Sequence, residues 1–282
     1  LATLRRAGPD DLSFLADDLL EGRKTGTRGY EIAARYVAAQ FEACGLKPGG
    51  NDGWFQQVTF QQTERGEQPG SVTISGPDGE HSWAHATEAM VGMNSNELQL
   101  DVSAPLVFVG YGIENERLGL DDYRGLDVKG KVVVTLRGFP KGLPSEEGSH
   151  LAATKLETAQ KHGAIGYIGV DTLQSFQAWP WKRRLETASE PDFAWVGTDG
   201  KAYQDAPGIR AWAALNTPAA EALFAGAPRT LDDLRREADQ AGAAPKGFAL
   251  KTQIRIQSEG VPRHVTSPNV IGILPGADPV LA

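Results

Sequence analysis

Apolar residues recur along this chain with two different periods, and the change of period divides it. Near the start, Leu12, Phe14, Leu15 and Leu19 follow Pro9 and Asp10, which predicts a first helix with an aspartate cap. Ile32, Tyr36, Val37 and Phe41 then fall on one face at helical spacing, and Ala33, Ala34, Ala38 and Ala39 add helix propensity. Gly45 closes this second helix, and Pro48 prevents its continuation. Between the two, Gly22, Gly26 and Gly29 predict a loop with freedom for positive φ.

From Trp54 the pattern alternates. Phe55, Val58 and Phe60 predict a strand, and residues 71–75 and 80–84 flank Gly76-Pro77-Asp78-Gly79, a hairpin signal. Residues 98–102, 106–109 and 131–136 read as further strands, and the last, with Val132-Val133-Val134, as buried on both faces. Residues 151–162 predict a helix ended by Gly163, and 165–170 a strand. Residues 174–190, with Trp179, Trp181 and a basic cluster, read as a long excursion. A strand at 209–215 precedes helices at 218–224 and 231–241, the first opened by Thr217-Pro218 and the second by Thr230 before Asp232-Asp233. Residues 248–258 alternate through Leu250, Ile254 and Ile256. Residues 270–274 are the expected neighbouring strand, buried and running into the turn at Pro275-Gly276. The sequence shows no internal repeat and no low-complexity tract, and the sum is a mixed α/β chain.

Composition narrows the partners. With 282 residues, 40% hydrophobic and 23% charged, the chain can bury a core in more than one domain. The 36 acidic and 28 basic side chains give a net charge of −8, which argues against nucleic acid as a partner. The longest basic run, Lys182-Arg183-Arg184, reads as a solvated loop. Apolar runs fall short of the roughly 18 residues of a membrane span. Cys44 is the only cysteine, so no disulfide forms within the chain. It sits at a helix C-terminus, the wrong end to activate a thiol, and reads as packing. The chain starts at Leu1 without a visible signal peptide and stops at Ala282 just past a strand; both ends read as trimmed.

Two stretches resemble a known family. Glu21-Gly22-Arg23, Thr25-Gly26-Thr27, the alanine-rich helix with Tyr36 and Phe41, and Gly45-Leu46-Lys47-Pro48-Gly49-Gly50 resemble the N-terminus of metallopeptidase family 28, the zinc aminopeptidases related to glutamate carboxypeptidase. Ser267-Pro268-Asn269-Val270-Ile271-Gly272-Ile273-Leu274-Pro275-Gly276 resembles the strand just before that family's first metal ligand. Between them, Pro105-Leu106-Val107-Phe108-Val109-Gly110-Tyr111-Gly112, Asp121-Asp122-Tyr123, Val128-Lys129-Gly130-Lys131-Val132-Val133-Val134, the helix around Lys155 and Ala159, and Gly163-Ala164-Ile165-Gly166-Tyr167-Ile168 are similar to a protease-associated domain. Residues 173–206 match no such pattern. The resemblance implies a β-rich protease-associated insert at 63–245, inserted in the N-terminal part of an α/β zinc-exopeptidase domain. Residues 1–62 and 246–282 would belong to that peptidase-like domain.

The resemblance also implies two zinc ions, a glutamate general base, peptide substrates and a secreted or periplasmic location. Two adjacent cations polarise the scissile carbonyl, generate hydroxide and clamp the substrate amine. The family's first ligands arrive as His-x-Asp after the strand matching 270–274. None of His81, His85, His150, His162 and His264 is followed two residues later by Asp, so no catalytic or metal role transfers to any position here. His81 and His85 have helical metal-pair spacing but lie in a strand pattern, and read as surface residues of a hairpin. His162 reads as a helix C-terminal cap, and His150 and His264 as lone loop residues. The pairs Asp121-Asp122 and Glu146-Glu147 read as solvated loops. The Gly22 to Gly29 run lacks the Gly-Lys-Ser/Thr ending of a phosphate loop, and the serines lack a nucleophile elbow.

Two residues stand out as candidates for substrate access. Arg137 ends a buried strand before Gly138 and Pro140, where its guanidinium could read a carboxylate by a bidentate pair; pairing with a structural acid is the commoner use of such a residue. Tyr111 lies in a glycine-flanked turn and could line a cleft or pack. The expectation is the front portion of a zinc aminopeptidase, inactive alone, with a role in substrate access or as scaffold. The alternatives are a stand-alone protease-associated interaction module without catalysis, and a complete hydrolase of unrelated chemistry.

Overall fold

The computed structural model describes residues 9–278; Leu1 and Ala282, the ends read above as trimmed, lie outside them. In chain order the elements begin with α1 (Pro9–Leu15), a 3-10 segment (Asp18–Arg23) and α2 (Arg28–Ala43). The strands β1 (Lys47–Pro48), β2 (Phe55–Arg65), β3 (Ser71–Gly76), β4 (Gly79–Ala84), β5 (Ala89–Val91), β6 (Gln99–Phe108), β7 (Glu114–Asn115), β8 (Leu120–Asp121) and β9 (Val132–Leu136) follow. Next come α3 (Ser145–Ala153), α4 (Lys155–Lys161), β10 (Gly166–Val170), α5 (Leu173–Ala178), α6 (Trp181–Leu185), β11 (Asp192–Trp195) and β12 (Ala211–Leu215). The chain closes with α7 (Thr217–Ala222), α8 (Leu231–Ala238), β13 (Phe248–Val270) and β14 (Gly272–Ile273). The fold class is mixed α/β.

The chain divides into two units. The larger comprises Thr63–Asp192 and Gln204–Pro262; the smaller comprises Leu1–Gln62, Phe193–Tyr203 and Arg263–Ala282. In the larger unit the strand order is β4-β3-β13-β6-β9-β10-β12-β5. The four central strands β6, β9, β10 and β12 are mutually parallel; β13, β3, β4 and β5 join antiparallel. Every residue of β9 is buried. Its alternate side chains enter two cores, Val132, Val134 and Leu136 into one and Val133 into the other. That is the physical reason for an unbroken apolar run: a parallel strand covered on both faces has no polar side.

In the smaller unit, α2 packs on the 3-10 segment and on β1. Thr27 caps α2 by accepting from the Tyr30 N–H at 3.4 Å, and Gly45 leaves it with φ +78°. Strand β2 is flanked by β11 and β13, and β1 pairs with β14 through Lys47↔Ile273 and Pro48↔Gly272.

Several expectations need correction. Asp10 lies inside α1, which starts at Pro9, and Leu19 belongs to the separate 3-10 segment and is exposed. The buried stripe of α2 is Ala33, Ala34 and Ala38, with Ile32 exposed, because small side chains allow close approach where a bulky one would not fit. The predicted strands 98–102 and 106–109 form one strand across Pro105. The missing N–H is tolerated because Pro105 sits where the ladder to β13 shifts register and just before the pairing with β9 begins. The helix expected at 151–162 starts earlier and breaks at Thr154 into α3 and α4. The excursion 174–190 is helical in part, as α5 and α6. Residues 270–274 are not a neighbour of the long strand: Val270 ends β13, and β14 turns to pair with β1, leaving Ile273 and Leu274 exposed.

Gly29 tests the packing of α2. A Cβ added there would lie 1.8 Å from the Leu20 carbonyl oxygen. Gly-to-Ala in a helix ordinarily gains about 1 kcal/mol; Gly29→Ala is expected to lose about 2 kcal/mol or more. The urea midpoint of the variant measures the sign, and an unchanged or raised midpoint refutes this contact.

Candidate functional site

Ligands of open α/β sheets collect outside the carboxyl ends of the parallel strands, because the loops there converge and backbone groups are left unpaired. In the larger unit four residues stand just past those ends: Tyr111 after β6, Arg137 after β9, Asp171 after β10 and Asn216 after β12. Tyr111 and Arg137 line one cavity of about 390 Å³ together with Phe139, Lys141, Thr172, Gln174, Ser175 and Asp239. The two residues singled out from the sequence are thus brought to one place.

Asp171 is the electrostatic centre beneath this cavity. Its buried carboxylate accepts two hydrogen bonds from Arg184, at 2.9 and 2.7 Å, and one from the Ser175 hydroxyl at 2.9 Å. Its backbone carbonyl accepts from Arg235 Nε at 2.8 Å, and Arg235 also donates to the Thr217 hydroxyl at 3.3 Å. Arg137 approaches the same carboxylate but stops at 3.6 Å from Oδ1, beyond hydrogen-bond reach. Its Nε is buried without a hydrogen-bond partner, while the side chain as a whole is 39% exposed. Burial, then the neighbouring Arg184 charge, pulls its guanidinium below the ordinary arginine range, and Asp171 opposes that pull.

Lys155 is anchored at the same strand end, outside the cavity's lining. It is 3% exposed, and its ammonium donates to the carbonyls of Leu136 at 2.8 Å and Gly138 at 2.6 Å, the residues on either side of Arg137. It also lies 5.5 Å from the centre of the Tyr111 ring. Burial pulls its pKa down to about 7, with the Asp122 charge opposing and Arg137 adding to the fall. Tyr111 itself is buried, donates to the Ala238 carbonyl at 3.4 Å and has its phenol pushed up to about 12 by burial. At the rim, Lys141 pairs with Asp239 at 2.5 Å.

The histidines, the acidic pairs, the basic run and the cysteine go elsewhere. His85 is buried, not on the surface of the hairpin: its Nδ1 accepts from the Val91 N–H at 3.0 Å, its Nε2 meets the Ala188 carbonyl at 2.9 Å, and burial pushes its pKa down. His81 is exposed and stacks on Trp83. His162 does more than end a helix; it pairs with Glu114 at 2.5 Å and stacks on Tyr123 at 4.2 Å. His150 lies in α3 and His264 in β13, not in loops. Asp122 is not solvated. Burial raises its pKa to about 6 against hydrogen bonds from backbone amides, including Ile113 N–H at 3.1 Å. Glu146 and Glu147 open α3, and Glu147 pairs with Arg117. Lys182-Arg183-Arg184 is helix α6; Arg184 is buried and Arg183 lies 4.3 Å over Trp179. Cys44 caps α2 and is half-buried.

Asp171, Arg184, Arg235 and Lys155 carry the electrostatics; Lys155 falls within the protease-associated resemblance and Arg184 within the basic run, but neither motif marks a site residue. A signal does exist for two positions. Arg137 and Asp171 each directly follow an apolar strand, where a charge must either be neutralised or face a ligand.

Among the described residues, no group of three or more His, Cys, Asp or Glu side chains is placed to hold a metal ion, so the donor set does not fit the implied zinc pair. No helix among them is long and apolar enough to cross a membrane. No protein-family model matches the chain, and no curated protein does. Among solved structures it is similar to a peptidase M28 precursor from Shewanella amazonensis SB2B, at 15% identity and a TM-score of 0.41, over 93% of this chain and 51% of that one. It is also similar to BSAP, a zinc aminopeptidase from Bacillus subtilis, at 14% identity and a TM-score of 0.35, over 96% and 47%. The chain spans about half the length of each.

Lys155 makes this region pH-sensitive. In the unfolded chain a lysine holds its proton up to about pH 10.4, and in the folded chain only to about 7. Between these values the unfolded state binds more protons, so stability rises with pH across that window. Lys155→Met is expected to flatten that rise and to cost about 1–3 kcal/mol through the two carbonyls left unsatisfied. Urea unfolding near neutral and near pH 9 checks both, and a parallel rise in wild type and variant counts against the assignment.

Proposed function

We propose that this chain is the front part of a zinc aminopeptidase of the family 28 type. Residues 1–62 and 246–282 contribute to its peptidase-like domain, and residues 63–245 form a protease-associated insert. The observation that supports this most directly is the meeting of the two family-like flanks. They lie far apart in sequence, yet they pair in the smaller unit. Tyr30 donates its hydroxyl to the Pro268 carbonyl at 2.9 Å, and the Gly49 N–H donates to the Ile271 carbonyl at 3.0 Å. β1 and β14 form a ladder, and Gly272 lies against Phe41 and Leu46. These are residues of the two stretches that carry the resemblance, and a free-standing interaction module would need neither.

On this reading the reaction is hydrolysis of an N-terminal peptide bond, and the substrate is a peptide. The two zinc ions and their ligands come from chain outside these residues, and no catalytic step is assigned to any side chain here. The 282 residues serve as scaffold and shape access, with Arg137 and Tyr111 as the access residues of the insert. The location is secreted or periplasmic, by the habit of the family that the motifs resemble.

The protein from the complete natural reading frame is expected to hold two zinc ions and to hydrolyse amino-acid anilides. The 282 residues alone are expected to do neither. Metal analysis and an anilide assay on both proteins decide it. Stoichiometric zinc with turnover from the shorter chain, or no aminopeptidase activity from the complete protein, overturns the reading.

A further inference from the structure

Three arginines approach Asp171, and they are not equivalent. Arg184 binds its carboxylate through two nitrogens, and Arg235 binds its carbonyl oxygen. Arg137 makes no side-chain hydrogen bond among the described residues; its nearest acid is 3.6 Å away and already accepts from Arg184 and Ser175. Lys155 is fixed to the carbonyls that flank Arg137, so those acceptors are already engaged. The other carboxylate at the rim, Asp239, is engaged by Lys141. The cavity is therefore lined by one guanidinium that makes no side-chain hydrogen bond among the described residues, while the nearest carboxylates are already engaged. A buried or half-buried arginine left in that state is costly unless something completes it.

We infer that the cavity beside Arg137 is a binding site for a carboxylate ligand, held by the Arg137 guanidinium and bounded by Tyr111, Phe139, Thr172, Ser175 and Lys141. The planar fork of arginine matches a carboxylate through two parallel bonds, a geometry that Arg184 already shows with Asp171. The volume of about 390 Å³ suits a ligand of one amino-acid residue or a short diacid. Phe139 adds an apolar side chain to the lining, and Thr172 and Ser175 add hydroxyl-bearing ones. The carboxylate has two possible sources, a small free diacid or the C-terminus of a peptide. The site lies wholly within the larger unit and does not depend on the peptidase reading.

The test uses the 282-residue chain with nitrogen-15-labelled arginine. Glutarate, a short peptide with a free C-terminus and the same peptide as its C-terminal amide are titrated separately, following the arginine Nε–H signals. A shift of the Arg137 signal that saturates in the millimolar range supports the site. Saturation by glutarate alone identifies a diacid ligand, and binding by the peptide acid but not its amide identifies a C-terminus. Arg137→Gln should weaken binding by about tenfold or more and leave the melting temperature unchanged or raised, since the side chain it replaces makes no hydrogen bond. Should the glutamine variant fold poorly, Arg137→Lys keeps the charge, loses the fork and should still bind several-fold more weakly. No saturable shift with any carboxylate at tens of millimolar overturns the inference. So does equal binding by the variants, or a melting temperature that falls by several degrees in Arg137→Gln, which would make Arg137 a structural partner of Asp171.

Discussion

A buried carboxylate at the end of β10 organises the carboxyl side of the larger unit. Asp171 is almost wholly excluded from water, and an isolated ion there would be strongly unfavourable. Its neutralisation fixes three separate pieces of chain. Arg184 brings in α6 and Ser175 brings in α5. Arg235 ties α8 to the strand end through the Asp171 carbonyl. Without this centre the segment that follows β10 would have little reason to fold back; its helices are only five or six residues long, too short to be stable alone. Removal of one partner from such a pair typically costs about 3–5 kcal/mol, since the other charge stays buried.

The sheet beneath supplies the rigidity that this electrostatic arrangement needs. Alternate residues of β9 enter opposite cores, so the strand cannot slip by one residue without exchanging its two faces. β10 is locked to it in parallel register, Val170 against Leu136, and the residues after both ends are thereby held side by side. The Arg137 N–H donates to the Val170 carbonyl at 2.8 Å, which extends the ladder one step beyond the strands. Backbone register thus places Arg137 beside Asp171, whose carboxylate already accepts from Arg184.

The sequence made the helices and the central strands readable because their signals are local. Val132-Val133-Val134 announces a doubly covered strand, Pro77 and Asp78 a two-residue hairpin, and Gly45 a helix end. Failures arise where a distant partner decides the outcome. Pro105 looks like a break, but a register shift in β13 absorbs it. Ile32 looks like core, but it is exposed, and Ala33, Ala34 and Ala38 form the buried stripe of α2. Arg184 looks solvated within a basic run, and only Asp171, thirteen residues earlier, makes burial possible. The same holds for His85, whose partners Val91 and Ala188 are a near neighbour and one over a hundred residues away. Of the cavity's lining, Arg137 stands out in the sequence because it ends an apolar strand and Tyr111 because it lies in a glycine-flanked turn. The counter-charges that give the cavity its character come from helices with no motif.

Comparison within the cluster separates a structural arginine from a binding one without appeal to any other protein. A guanidinium retained for stability is expected to spend its donors on fixed acceptors, as Arg184 and Arg235 do. Arg137 stands beside the same acid but makes no side-chain hydrogen bond among the described residues and lines the cavity; Arg184 also leaves its Nε unbonded, yet its two terminal nitrogens are spent on Asp171. Lys155 is anchored by the two carbonyls that flank Arg137, and burial draws its pKa down to about 7. What sets Arg137 apart is therefore the absence of a fixed acceptor for its guanidinium among the described residues.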